Sequence, residues 1–210
     1  YGHFGFVLPG SPTAVIFFFI ISGFFLGKKY YSKSYTLSDK SKYNERHYTI
    51  DHLKTLYPHY LFSLAVMYGY YVVKNVYSLC IGSENSISLG EFLASIYKLI
   101  PEVLLLQNTG FFGGGINYPL WQVCALVICG YFLYAILCYN EKLSISIIIP
   151  LSILLIQAYL TSEVDIFGIV GPIYIPLIRG FSAMSIGVLA FKLTTTKYYK
   201  QLINSKYNII

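Results

Sequence analysis

The chain has 210 residues, of which 56% are hydrophobic and 11% charged, and its mean hydropathy is +0.59. Soluble domains carry about 25% charge, so there is too little here to coat a water-soluble globule, and the length suits one domain rather than two. The net charge of +6 reads as the Lys and Arg excess that orients a membrane protein rather than as a nucleic-acid surface, so no nucleic-acid partner is expected.

The first residues, Tyr-Gly-His-Phe-Gly, do not form the basic start of a signal peptide, and they are expected to follow an upstream segment. A Pro9-Gly10-Ser11-Pro12 break comes next, then the apolar run 13–26 (TAVIFFFIISGFFL). Proline at the break excludes one straight helix through it. Residues 27–57 are expected to be a basic loop. Further apolar runs cover about 59–77, 118–138, 143–161 and 172–192, each close to the roughly 20 residues that a membrane helix needs.

The segment 91–106 has a different pattern. Glu91, Ser95, Lys98 and Glu102 share one helical face, while Phe92, Ile96, Leu99, Ile100, Val103 and Leu104 largely occupy the other. That period predicts an amphipathic helix lying in the interface. The expected fold is therefore all-α, a polytopic transmembrane helix bundle of about five spans plus one interfacial helix, forming a single domain over 1–210.

The basic residues orient this arrangement. With the N-terminus outside, inner segments hold Lys28, Lys29, Lys33, Lys40, Lys42, Arg46 and Lys54, then Lys142, then Lys192, Lys197, Lys200 and Lys206, twelve of the 15. If 91–106 spanned the membrane, the basic tail would fall outside. The four cysteines, Cys80, Cys124, Cys129 and Cys138, lack metal spacing and imply no disulfide framework.

Several positions resist explanation as packing. Arg179 falls inside the last apolar run, where it reads either as a helix-end anchor or as a charge facing a polar cavity or anionic ligand. His3, beside the proline break, is either structural or a general base. Ser22-Gly23 interrupts an aromatic run, as a close helix contact or as part of a binding site. His52 and Lys54 close the basic loop, which would set topology, meet anionic lipid, or receive a phosphate-rich donor. The outer segment 110–121 holds three consecutive glycines, Asn117 and Trp121. The tryptophan suits an interface anchor or a platform for a sugar ring.

The order of these features is informative: His3, Phe18-Phe19-Ile20-Ile21-Ser22-Gly23-Phe24, a basic loop ending Leu56-Tyr57-Pro58, Asn117-Tyr-Pro-Leu-Trp121, and Arg179-Gly-Phe-Ser-Ala-Met-Ser-Ile-Gly187. The series resembles the acyltransferase family 3 integral membrane proteins, the O-acetyltransferases of bacterial surface polysaccharides. Members have about ten spans, and this chain resembles the second to about the sixth, with the first helix and later spans lacking. The family's Arg-x-x-Arg pair before Leu-Tyr-Pro is replaced here by His52 and Thr55.

The resemblance implies a multi-pass protein of the bacterial cytoplasmic membrane, with no bound cofactor and with acetyl-CoA as acyl-CoA donor. The acceptor would be a surface polysaccharide or lipid-linked sugar. It further implies that His3 is the general base and that Arg179 stabilises negative charge. His52 and Lys54 would meet the donor, and Ser22, Asn117 and Trp121 would contact substrate. The alternative is a non-enzymatic transporter or flippase subunit, with Arg179 and the broken first span lining a path.

Overall fold

A computed structural model describes residues 11–36, 44–81, 88–107, 117, 120–161, 169–170 and 173–195. His3 lies outside the described residues. Helix α1 (Ser11–Thr36) starts at the proline break, where Pro12 sits in the first turn and forfeits no intrahelical hydrogen bond. It continues ten residues beyond the apolar run. Helix α2 (Glu45–Ile81) carries Pro58 in its interior. The segment 27–57, expected as a loop, is thus largely helix, and His52 and Lys54 stand on α2. Short side-chain-to-backbone bonds support this stretch: Thr49 Oγ1 donates to the Glu45 carbonyl at 2.9 Å and Thr55 Oγ1 to that of Asp51 at 3.2 Å.

Helix α3 (Leu89–Val103) starts with a capping box: the Ser88 amide donates to Glu91 Oε2 at 2.8 Å and the Glu91 amide to Ser88 Oγ at 3.3 Å. It is amphipathic as expected. Part of its polar stripe, Ser95 and Glu102, is buried, while Leu93, Tyr97, Ile100 and Leu104 are exposed. That polarity is inverted relative to a helix packed on a soluble core, and it suits an apolar surround.

Helix α4 (Trp121–Tyr139) is followed by α5 (Glu141–Leu143), a π-helical turn (Ser144–Ile148), α6 (Ile149–Thr161), a two-residue antiparallel ladder of β1 (Ile169–Val170) with β2 (Ile173–Tyr174), and α7 (Ile175–Thr194). Ser144 Oγ lies 2.9 Å from the Ile136 carbonyl and 2.7 Å from that of Asn140, which ties the π-turn to the end of α4. Among the described residues, three segments are long and apolar enough to cross a membrane: Thr13–Ser32, Trp121–Tyr139 and Ile175–Thr194. The expected run 59–77 lies within α2, and 143–161 runs through the π-turn and α6.

Helix α7 is the hub, packed against α1, α4 and α6, while α2 packs on α4. Phe19 meets Gly180, Gly23 meets Met184, and Gly27 meets Val188 and Phe191, so α1 and α7 run parallel. Glycines permit this approach: a Cβ on Gly23 would overlap the Met184 carbonyl, and one on Gly187 the Ile20 carbonyl. Gly23 and Gly27 are four apart, the small-residue spacing by which membrane helices pack backbone to backbone. Phe19, Leu26, Trp121, Leu133, Tyr134, Met184 and Val188 fill the core around this seam.

Candidate functional site

The polar side chains gather at two levels of the bundle. The first lies where α1 and α4 end. There Tyr48 of α2 stacks on Tyr134 of α4 with centroids 4.5 Å apart, and the His52 ring stacks with Tyr48 at 5.6 Å. Lys29 Nζ stands 5.0 Å from the Tyr48 ring centroid and 3.5 Å from Asp51 Oδ2. Beside it, Lys192 of α7 pairs with Glu141 and lies 4.5 Å from the centroid of the Tyr31 ring. Lys28 and Lys54 are exposed at the same level. This is a layer of cations resting on aromatic faces, a geometry that holds positive charge in a partly apolar setting.

Burial, and secondarily the charge of Lys29, holds the His52 imidazole below its ordinary 6.5. Burial also raises the Tyr48 phenol. The unfolded chain therefore binds a proton at His52 more readily than the folded chain. The stability this group contributes is present above about pH 6.5 and is lost as pH falls through the lowered folded value. Thermal unfolding of the wild type is expected to drop more steeply below pH 6.5 than that of His52→Gln. Parallel curves for the two proteins would refute this.

The second level lies at the other end of α4. Trp121 is buried in the first turn of α4 with its ring 6.2 Å from Phe19. Phe19 in turn lies against Gly180, so the residue before it, Arg179, enters the bundle beside this aromatic pair. Arg179 is 4% exposed. A cation so placed is costly in hydrocarbon, which makes packing alone a poor explanation for it. Asn117 is also buried, and its Nδ2 donates to Ser63 Oγ at 3.3 Å.

The structure therefore places Trp121 and Asn117 at the start of α4, Arg179 between Leu177 and Gly180, which meet Cys129 further along α4, and His52 and Lys54 toward the opposite end. Ser22 lies between them on α1. Its hydroxyl donates to the Phe18 carbonyl at 2.8 Å, so it is engaged within its own helix, and the adjacent Gly23 makes the close contact with α7. Among the described residues, no three His, Cys, Asp or Glu side chains gather to hold a metal ion.

Sequence reasoning passed over a further polar group near Asn117. Tyr60 of α2 donates to the Glu102 carbonyl at 2.5 Å, Tyr57 donates to the Val103 carbonyl at 3.0 Å, and Gln107 Nε2 lies 3.5 Å from the Tyr60 hydroxyl. Glu102 is fully buried and Gln107 is 1% exposed. The one available signal was the Glu102 carboxyl on the polar stripe of 91–106. Gln107 follows the end of the periodic pattern and carries no spacing of its own.

A family model for an acyltransferase domain, that of acyltransferase family 3, matches residues 1–197. No curated protein and no solved structure matches the chain.

Proposed function

The chain belongs to acyltransferase family 3, a family of membrane acyltransferases, and from that premise we propose that it moves an acetyl group from cytoplasmic acetyl-CoA to a hydroxyl of a bacterial surface polysaccharide or of its lipid-linked precursor. The proposed setting is the bacterial cytoplasmic membrane. The observation that carries the reading is the separation of two unlike polar levels within one apolar bundle, with Arg179 buried at one and the Lys29–Tyr48–His52 layer at the other.

The cationic layer suits the donor. A CoA thioester brings phosphates, and Lys28, Lys54 and a Lys29 seated on an aromatic face offer charge to them. With the Lys-rich side inward, that layer opens to the cytosol. The second level suits the acceptor. Trp121 gives an aromatic face, Asn117 an amide, and Arg179 a guanidinium able to stabilise the oxyanion that forms when a hydroxyl attacks the thioester carbonyl. In that step the sugar oxygen bonds to the acyl carbon, the C–S bond breaks, and the hydroxyl proton passes to a base while CoA leaves as thiolate. His3, taken as the family's histidine, is the proposed base. The family match favours this enzyme over a transporter.

Membranes bearing the protein, supplied with acetyl-labelled acetyl-CoA, are expected to place label in alkali-labile esters of surface polysaccharide. His3→Ala at equal protein level is expected to abolish it. Full activity in His3→Ala removes the histidine from the chemistry, and an unlabelled polysaccharide with wild-type protein overturns the acetyl-transfer reading.

A further inference from the structure

A polar side chain inside an apolar bundle is stable there only when another polar group satisfies it. Three elements deliver such groups to one point near Asn117. Helix α2 supplies the Tyr60 hydroxyl, bonded to the Glu102 carbonyl. Helix α4 supplies the Cys124 thiol, 1% exposed, which interacts with both Tyr60 and Gln107.

The end of α3 supplies Glu102 and Gln107 through an unusual turn. Leu105 is in the left-handed region at φ 57°, where a leucine is strained. The turn closes with Leu105 N–H donating to the Glu102 carbonyl at 3.0 Å and Leu106 N–H to that of Pro101 at 2.8 Å. It carries the chain back so that Gln107 is buried against Tyr60. Among the described residues, an acceptor atom of Gln107 is then left over. Gln107 Oε1 is buried and has no hydrogen-bond partner among the described residues.

We propose that Tyr60, Glu102, Gln107 and Cys124 form a buried acceptor subsite that takes a hydroxyl group of a neutral, polyhydroxylated acceptor. The assignment rests on the reading of this chain as a transferase acting on a sugar. The chemistry of the left-over atom selects the ligand. An amide oxygen accepts hydrogen bonds and donates none, so beside the weak Cys124 S–H donor it calls for a ligand with an O–H or N–H. An acyl-CoA also carries such donors, on its pantetheine arm and nucleoside, but it brings phosphates that call for cations. None of the four side chains is cationic, whereas Lys29 and Lys192 stand at the opposite level of the bundle. The Ser63–Asn117 pair stands one turn of α2 beyond Tyr60, and Trp121 stands one turn before Cys124 on α4. Amide, hydroxyl and carboxyl oxygens beside an indole face make a surface that reads sugar hydroxyls and stacks on the ring.

Trp121 is the single tryptophan of the chain, so its fluorescence reports on this end of the bundle without any activity assay. The protein in nanodiscs is titrated with oligosaccharide fragments of the producing cell's surface polysaccharide, stripped of esters by mild alkali. Gln107→Leu is expected to weaken that binding about tenfold, the loss of one buried hydrogen bond, and to raise the acceptor KM by the same factor. The acetyl-CoA KM is expected to stay within about twofold. Tyr60→Phe, which removes one oxygen, gives the same split and stands in if leucine at 107 prevents folding.

Unchanged fragment binding in both variants, or a rise confined to the acetyl-CoA KM, overturns the subsite. The two readings fail separately. Wild-type protein that binds fragments with the expected variant loss but transfers no acetyl label keeps the subsite and sinks acetyl transfer. Label transfer with no fluorescence response to the fragments sinks the subsite and keeps acetyl transfer.

Discussion

Gly187→Ala is expected to destabilise the folded protein strongly, although it adds a single methyl group. The new Cβ would overlap the Ile20 carbonyl and stand 2.5 Å from the Phe24 amide nitrogen and 2.9 Å from the Gly23 carbonyl carbon. These are backbone atoms, and no rotamer change moves them. Helices α1 and α7 would have to separate, and the separation would open the seam that Phe19, Leu26, Met184 and Val188 close. Overpacking a fitted core costs about 1–3 kcal/mol where side chains yield, so about 3 kcal/mol or more is expected here, or roughly 10 °C in Tm. Gly23→Ala meets the Met184 carbonyl and belongs to the same class. Gly69 supplies the control: on α2, with nothing within 4 Å of an added Cβ, alanine there is expected to be neutral or to stabilise by up to about 1 kcal/mol. Thermal unfolding of the three variants in one detergent decides it. If Gly187→Ala and Gly69→Ala melt together, the close-packed seam is wrong.

That seam also shows what the sequence could reveal. The Ser22-Gly23 interruption of an aromatic run is readable as a small-residue contact, because few other residues let two backbones touch. Its partner is not readable, since Gly187 lies some 160 residues away in a helix with its own apolar period. The amphipathic 91–106 segment was legible from charge spacing, but its orientation was not. A stripe of Glu and Ser reads as solvent-facing by default, and only the position of α2 shows that Ser95 and Glu102 turn inward. The basic stretch 27–57 reads as a loop because its charge argues against an apolar helix. Helix α1 nonetheless runs on to Thr36 and α2 begins at Glu45, since a polar sequence with good helix formers and one proline forms helix where it abuts a bundle. Gln107 was invisible for a similar reason. Its burial follows from a left-handed leucine turn, and no residue pattern announces a leucine in that conformation.

The segregation of charge then separates two roles for cations. Lys29 and Lys192 have carboxylate partners, Asp51 and Glu141, and aromatic neighbours at a partly exposed level. Exposed pairs of this kind contribute little to stability, and under the proposed transfer their role is the field they present to an anionic donor. Arg179 is deeper, in the first full turns of α7, and its side chain is nearly inaccessible. A desolvated cation is far more effective against developing negative charge than an exposed one.

Arg179 should for that reason show the largest catalytic effect among the described residues. Arg179→Ala is expected to lower kcat/KM for acetyl transfer by about 10²- to 10³-fold, the loss of one oxyanion-stabilising donor, or about 2.7–4 kcal/mol. The loss should fall on kcat, with acceptor and donor KM values little changed, because the charge it meets exists only in the transition state. Arg179→Lys should recover part of the rate and no more, since an ammonium keeps the charge but not the planar five-donor fork. Stability supplies the opposing test. A helix-end anchor that only tolerates its charge would be improved by an apolar residue of similar size, so Arg179→Met would melt higher and transfer acetyl at the wild-type rate. A group held for chemistry gives a variant that folds and does not turn over. Arg179→Met with activity within about threefold of wild type would return this residue to the role of an anchor, and the oxyanion would then need another donor at the Trp121 end of the bundle.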